Sequence, residues 1–539
     1  MREKLPLFLL VLLLLGAGLR CIQLFHPGIA TGDEALTALR SLGLMEQGRG
    51  WTPYWNGEPD VHKPPLYYWL VAAGYRILGV GEWALRLPSM ALFLCVLALA
   101  YAMGRRVFDP WTGLVAALFA ALHPTLASQS CVGMMDTTMI AFSLGAAWFL
   151  LRAEERPRCY LGWGLCCGLA LLTKGEGAVP ILPASLLYLL AVRRKAFRDP
   201  LFYAGLCWAA VVAGVWFGSQ FAMHTDIFLK PHFEDMVGYR LKHSWRDTAL
   251  YLKSLRYLWA SWGALAPFLA AAPFLAWGLP GTKAGRREAI LIALVGLVPL
   301  AMVSTVRQQM PWYMLPAVVP MALFAARILV GLVQGGAPLA LRLAPCVLLA
   351  AGTFLPGVYA GPPALPGGVL AAAILAAALG LARGEKLRRT GGGVFAVGLA
   401  LALAGGGLSV ANPYVNMHRA RDSEPMRRLA ELLPSAGDVP GPMIVNFRHY
   451  PLNSLMFYAR RNSEQLRLFS QRPVAPGASY AGVLVGGGCR EFLQGLEVRS
   501  IAEYAGHEII VVRNAALEPV VPMPPLVAPG AVPAEDPAP

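Results

Sequence analysis

The sequence predicts a polytopic α-helical membrane protein with a small α/β domain outside the bilayer. Apolar runs long enough to span a bilayer, about 17–25 residues each, recur from Leu5 to about Ala411. Short basic clusters recur in alternate connections between them, on one side only, and after Ala411 the pattern changes to short strand-like segments. Composition agrees: of 539 residues, 56% are hydrophobic and 14% charged, against about a quarter charged in soluble domains. A soluble chain of this length needs more polar surface to cover its core.

Roughly thirteen spans are predicted, near 5–24, 84–103, 111–127, 137–152, 160–173, 177–192, 201–222, 257–278, 288–305, 312–333, 339–357, 366–383 and 393–411. The first follows Met1-Arg2-Glu3-Lys4 and carries no small-residue cleavage pattern, so an uncleaved membrane helix is expected. With the N-terminus cytoplasmic, the clusters at Arg105-Arg106, Arg152 to Arg158, Arg193 to Lys195, Lys283 to Arg287, Arg327 with Arg342, and Arg383 to Arg389 all fall inside. That is the arrangement the positive-inside rule requires of an inner (plasma) membrane protein. The net charge of +15 therefore reports membrane topology rather than nucleic-acid binding. Cys95, Cys166, Cys167, Cys207 and Cys346 sit inside apolar runs as small packing residues, with no metal or disulfide spacing.

The domain reading is then a membrane domain over 1–411, with outer loops of about 25–83 and 223–256, followed by an extracytoplasmic, periplasmic α/β domain over 412–516. In the latter, Met443–Phe447, Tyr480–Val485 and Glu508–Val512 read as strands and Ser454–Arg461 as a helix. Residues 517–539 are rich in Pro and Ala and read as a disordered tail. The loop over 223–256 is basic (Lys230, Arg240, Lys242, Arg246), which suits either phosphate or lipid headgroups.

The first outer loop opens with Asp33 and Glu34, then Leu36, Leu39, Leu42 and Met45 at every third residue, a short interfacial helix with two acids in its first turn. These acids serve either chemistry or simply the helix start. Further on, Lys63 precedes Pro64-Pro65, whose fixed backbone makes a rigid corner beside Tyr67, Tyr68 and Trp69. An ammonium held there is a partner for a phosphate. Asp136 lies at the outer end of a span, where an acid is costly and therefore functional or paired, with Arg86 as the candidate partner. Lys174 falls on the same side, by function or by snorkelling. Arg307 and Tyr313, flanking Gln308 to Trp312, fall there too.

Taken in order, Asp33-Glu34, Asn56-Gly57-Glu58-Pro59, Lys63-Pro64-Pro65-Leu66-Tyr67-Tyr68-Trp69, Ala84 to Ser89, Asp136, Leu172-Thr173-Lys174-Gly175 and Trp312-Tyr313-Met314-Leu315-Pro316 resemble membrane glycosyltransferases of the GT-C class. The branch is that of aminoarabinose transferases and dolichyl-phosphate-mannose–protein mannosyltransferases. The resemblance implies inverting transfer of a sugar from a polyprenyl-phosphate donor, with Asp33 as catalytic carboxylate and Asp136 as the second acid near the site. It also implies that Lys63 and Tyr313 contact the lipid phosphate. Placement adds Arg307, and Glu34, Arg86 and Lys174 are candidate substrate-binding residues. The acceptor it implies is an envelope lipid, lipid A or another glycolipid, with a protein hydroxyl as the other option.

Three positions depart from the family pattern: Leu36 replaces an arginine, Gln309 a lysine, and His62 an acidic residue tied to a metal site. Histidine is a good zinc ligand, so His62 is a candidate for a divalent metal, although the sequence requires no cofactor. The sugar stays unassigned. A multi-span transporter or flippase of lipid-linked sugars is the rival reading; it calls for ionisable groups near the midplane and for internal repeats.

Overall fold

The computed structural model describes residues 18, 28–29, 32–47, 50–55, 58–229, 266–277, 279, 282–306, 310–333, 427, 443–445, 457, 468–469, 479–485, 497–504 and 507–513. The spans predicted at 339–357, 366–383 and 393–411, nearly all of the one at 5–24, most of the second outer loop and the tail lie outside these residues.

The described helices are α1 (Asp33–Glu46), α2 (Leu66–Leu78), α3 (Glu82–Val107), α4 (Pro110–Leu122), α5 (Pro124–Ser130), α6 (Asp136–Arg152), α7 (Cys159–Lys174), α8 (Ile181–Val192), α9 (Pro200–Met223), α10 (Thr225–Leu229), α11 (Ala266–Trp277), α12 (Lys283–Ser304) and α13 (Val318–Val333). The short strands β1 (Tyr54–Trp55) and β2 (Glu58–Pro59) lie between α1 and α2. Several starts are written locally. Asp109 caps α4, accepting from the amides of Trp111 and Thr112 at 3.0 Å each, with Pro110 in the first turn. Asp199 with Pro200 repeats the device on α9.

The run predicted as a single span over 111–127 is broken. Pro124 lacks an amide proton and holds His123 in an extended conformation (φ −64°, ψ 118°), so α4 stops and α5 starts afresh. Among the described residues four helices are long and apolar enough to cross a bilayer: Glu82–Val107, Pro200–Met223, Gly285–Ser304 and Trp312–Gly331. A fifth candidate is the pair Cys159–Ala178 and Ile181–Val192, bent by 106°.

Contacts divide the chain into two units, one of residues 1–27, 36–55 and 59–417, the other of 28–35, 56–58 and 418–539. In the first, α7 lies between α6 and α9, α3 packs on α4 and α6, α13 packs on α4 and α11, and α12 lies against α8. Without a hydrophobic drive between helices in lipid, such packing rests on close backbone approach. Gly164 of α7 meets α9 so tightly that a Cβ there would sit 1.8 Å from the Gly205 carbonyl oxygen.

Each end of this bundle carries charge. At one end Arg106 pairs with Glu155 at 2.7 Å and Glu288 at 2.8 Å, Arg193 pairs with Glu154 at 2.9 Å, and Arg327 meets Asp109 at 3.1 Å. Arg106, Arg193 and Arg327, which belong to clusters that the sequence assigns to one side, thus share one end. α6 connects this end to the other, where Asp136 begins it; its 17 residues span about 25 Å. Lys174 meets Asp136 at the start of α6, while Arg193 donates to Leu150 O at its end (3.1 Å), so the chain from 174 to 193 returns along the full length of α6.

In the second unit the strands β3 (Met443–Val445), β4 (Leu468–Phe469), β5 (Ser479–Val485), β6 (Glu497–Tyr504) and β7 (His507–Arg513) form one sheet in the order β4-β3-β5-β7-β6. β3 is parallel to β4 and β5, and the hairpin of β6 and β7 completes an antiparallel half with a bulge between Ser500 and Ala502. β4 and β6 are additions to the three strands that the sequence predicts. Of the helix predicted over 454–461, only Phe457 is described, and it is helical and buried.

Candidate functional site

The corner ahead of α2 is fixed by one buried carboxylate. Asp60 Oδ2 accepts from Arg40 Nε at 2.7 Å and Nη2 at 2.6 Å, while Oδ1 accepts from the His62 amide at 3.2 Å and meets His62 Nδ1 at 2.7 Å. Burial pushes the Asp60 carboxyl up, but Arg40 and His62 outweigh burial and hold it well below the usual carboxylate range. Arg40 also donates to the Tyr68 hydroxyl at 3.4 Å, so α1, the corner and α2 are tied together. Pro64 and Pro65 follow, and the Lys63 ammonium leaves this corner to meet Glu176 Oε1 at 2.6 Å.

Glu176 belongs to the turn after α7. Gly175 adopts φ +53°, ψ −115°, a conformation that favours glycine, and opens the 3-10 turn Gly175–Ala178. On the other side of that glycine, Lys174 pairs with Asp136 Oδ1 and lies 5.1 Å from the centroid of the Tyr313 ring. Asp136 is 2% exposed, and its Oδ2 has no hydrogen-bond partner among the described residues. The loop before Asp136 is held from α3, since Ser89 Oγ donates to Met134 O at 2.8 Å and meets the Tyr67 hydroxyl at 2.6 Å.

The structure therefore joins Lys63 to Glu176, and Asp136 to Lys174 and Tyr313, at one end of the first unit. It corrects the pairing expected for Asp136. Lys174, not Arg86, is its partner, because the last turn of α7 reaches the first residue of α6; Arg86 is fully buried on α3. Asp33 and Glu34 occupy the first turn of α1 in the second unit, Asp33 exposed and Glu34 buried. Arg307 lies outside the described residues. The sequence reading missed Arg40, Asp60 and Glu176. For Glu176 the signal was present as a second charged residue on the far side of Gly175 from Lys174.

His62 offers little to a metal. Its Nδ1 is engaged by Asp60, and among the described residues no group of three or more His, Cys, Asp or Glu side chains gathers to hold an ion. His62 and Asp60 alone do not make a zinc site, and no chemistry is assigned to a metal here.

Two ammonium groups held by carboxylates, one of them beside an aromatic ring, can hold an anionic headgroup. Residues 62–217 match the family model described as dolichyl-phosphate-mannose-protein mannosyltransferase. The chain is 33% identical over 349 residues to the undecaprenyl phosphate-alpha-4-amino-4-deoxy-L-arabinose arabinosyl transferase of Pseudomonas aeruginosa. That match covers 61% of this chain and 61% of the relative, so the chain spans less than two thirds of the length of that relative. Among solved structures it is similar to ArnT from Cupriavidus metallidurans bound to undecaprenyl phosphate, with a TM-score of 0.65 at 18% identity, covering 94% of this chain and 98% of the other. It is also similar to the archaeal oligosaccharyltransferase AglB from Archaeoglobus fulgidus, with a TM-score of 0.50 at 12% identity over 87% of this chain and 65% of that one. The protein thus has the GT-C membrane fold and is a multi-pass membrane protein. Within that class the resemblance is to the branch of aminoarabinose transferases and dolichyl-phosphate-mannose–protein mannosyltransferases that the motif set indicates.

Proposed function

We propose that this chain is an inverting glycosyltransferase that moves a sugar from a polyprenyl-phosphate donor to an envelope acceptor on the periplasmic face of the inner membrane. The observation that carries the reading is the pair of carboxylate-held lysines, Lys63 and Lys174, at the end of the bundle opposite the basic clusters. An acceptor hydroxyl attacks the anomeric carbon from the face opposite the phosphate. The bond from that carbon to the phosphate oxygen breaks, and the configuration inverts. Asp33 takes the acceptor proton; as an exposed carboxylate in the first turn of α1, it meets solvent with the helix dipole in its favour.

The leaving polyprenyl phosphate carries the developing charge. Lys63 and Tyr313 meet it, with Arg307 as a further cation, and such preorganised donors act on charge as it forms. Asp136 and Lys174 form the second charged pair of the site, and Glu34 and Arg86 complete the substrate-binding set. No nucleotide and no cofactor is needed, because the donor arrives already activated on its lipid. The favoured acceptor is lipid A or another glycolipid, and a protein hydroxyl is the other option.

The N-terminus is read as cytoplasmic from the basic residues that recur in alternate connections of the sequence. Residues 412–516 are read as a periplasmic domain, and 517–539 as its disordered tail. The test is transfer of labelled sugar from a panel of polyprenyl-phosphate donors to envelope lipid and protein fractions, comparing the wild type with Asp33→Asn. Transfer lost in a variant that still folds in the membrane supports the assignment, and the labelled fraction names the acceptor class. Equal activity removes Asp33 from the catalytic role. Absence of transfer in both directs attention to movement of the lipid-linked sugar across the bilayer.

A further inference from the structure

Glu176 has no part in the reaction just described, yet it is the residue that holds Lys63. The 2.6 Å contact joins the corner ahead of α2 to the turn after α7, 113 residues later. The two segments also lie side by side next to this pair, since a Cβ built on Gly175 would be at ordinary contact distance, 3.5 Å, from Pro64 Cγ. The positive φ of Gly175 divides the turn, so that Lys174 is directed to Asp136 and Glu176 to Lys63. One short turn therefore sets both lysines. The Lys63–Glu176 pair is not sealed from solvent, its side chains being 27% and 19% exposed. An ammonium has three N–H donors, and Glu176 takes one of them, which leaves donors for an arriving anion.

We infer that Glu176 is a positioning residue, which fixes the Lys63 ammonium where it meets the phosphate of the lipid-linked donor. The inference rests on the reading of the chain as a polyprenyl-phosphate glycosyltransferase. Lysine is a point charge on a flexible four-carbon stem, and it binds a phosphate in one geometry only if something else holds it there. The pair carries no net charge, so Glu176 sets where the ammonium sits rather than how strongly the site attracts anions from a distance.

The test uses the full-length protein in detergent or lipid nanodiscs, with labelled polyprenyl phosphate for binding and the labelled sugar donor for turnover. Glu176→Gln is expected to weaken lipid-phosphate binding and to raise the donor KM about tenfold, leaving the acceptor KM unchanged. Glu176→Asp, with the charge kept and the reach shortened, is expected to fall between Gln and wild type. In a Lys63→Met background Glu176→Gln is expected to add nothing, because both changes remove one device.

Unchanged binding and donor KM in Glu176→Gln overturn the inference. So does tighter binding, which makes Glu176 a competitor of the phosphate, and so do effects that multiply in the double variant. If Glu176→Gln fails to accumulate, Glu176→Asp decides alone: donor binding equal to wild type overturns the inference. Wild-type protein that binds the lipid phosphate but transfers no sugar refutes the transferase reading and leaves the binding comparison standing. Wild type that does neither refutes both.

Discussion

Lys174, the last residue of α7, pairs with Asp136, the first residue of α6, and its ammonium lies 5.1 Å from the centroid of the Tyr313 ring. Three segments distant in sequence are thus joined through one ammonium. Asp136 is almost wholly buried, so the pair is also a structural commitment.

Removing the lysine alone leaves a buried carboxylate without its counter-charge. Lys174→Met is expected to destabilise the protein by about 3–5 kcal/mol, whereas Lys174→Met with Asp136→Leu recovers most of that loss. Thermal unfolding in detergent measures both. Sugar transfer stays low in the double variant, which separates the role in chemistry from the role in packing.

The corner that presents Lys63 has its own pH signature. Asp60 is held below its usual pKa despite burial, because Arg40 and His62 favour its charged form. A depressed carboxylate contributes stability that is fully present above the unfolded-state pKa of about 4, and that is lost as pH falls through the folded value below it. The stability gap between wild type and Asp60→Asn is therefore expected to stay open from about pH 5 to 8 and to close only below about pH 4. A gap that closes between pH 6 and 7 would assign the effect to a different group.

Glu288 bridges the opposite end of the bundle, meeting Arg106 at 2.8 Å and Arg193 at 3.7 Å. Glu288→Gln is expected to cost about 1–3 kcal/mol, read as a lower unfolding temperature. Because this end is about 25 Å from Asp136 along α6, donor and acceptor KM are expected to stay at wild-type values.

Close packing of α7 on α9 gives a purely steric prediction. Gly164→Ala places a Cβ against the Gly205 carbonyl oxygen, a backbone atom that cannot swing aside, so the helices must separate at about 1–3 kcal/mol. Gly214→Ala on the same α9, where nothing lies within 4 Å of the added carbon, is expected to be neutral by the same unfolding assay.

Much of the first unit was legible in hydropathy and punctuation. α3, α6, α7, α8, α9 and α12 fall on predicted spans, because an apolar run bounded by Asp-Pro or a basic cluster is a local signal. The break at His123 was missed because apolar length outweighed a single proline. The strand β6 was missed because Ser500 and Ile501, at the bulge, break the alternation that Glu497, Val498 and Arg499 begin. Lys63, Asp136, Lys174 and Tyr313 were placed on one side by counting spans. Their partners were not predictable, since Arg86 and Lys174 are equally plausible beside Asp136 until the helices are packed.

The sequence by itself determined that the chain holds many apolar runs long enough to cross a membrane, that basic residues recur in alternate connections, and which motif set it shares with GT-C glycosyltransferases. These are properties of single segments, set by solvation of each run of residues and readable one run at a time. Only the tertiary structure decided that Lys63 is held by Glu176, that Asp136 takes Lys174, and that Arg40 pins the corner through Asp60. Those pairs join residues 20 to 113 positions apart. Such a meeting depends on the order, rotation and tilt of packed helices, which no local pattern encodes.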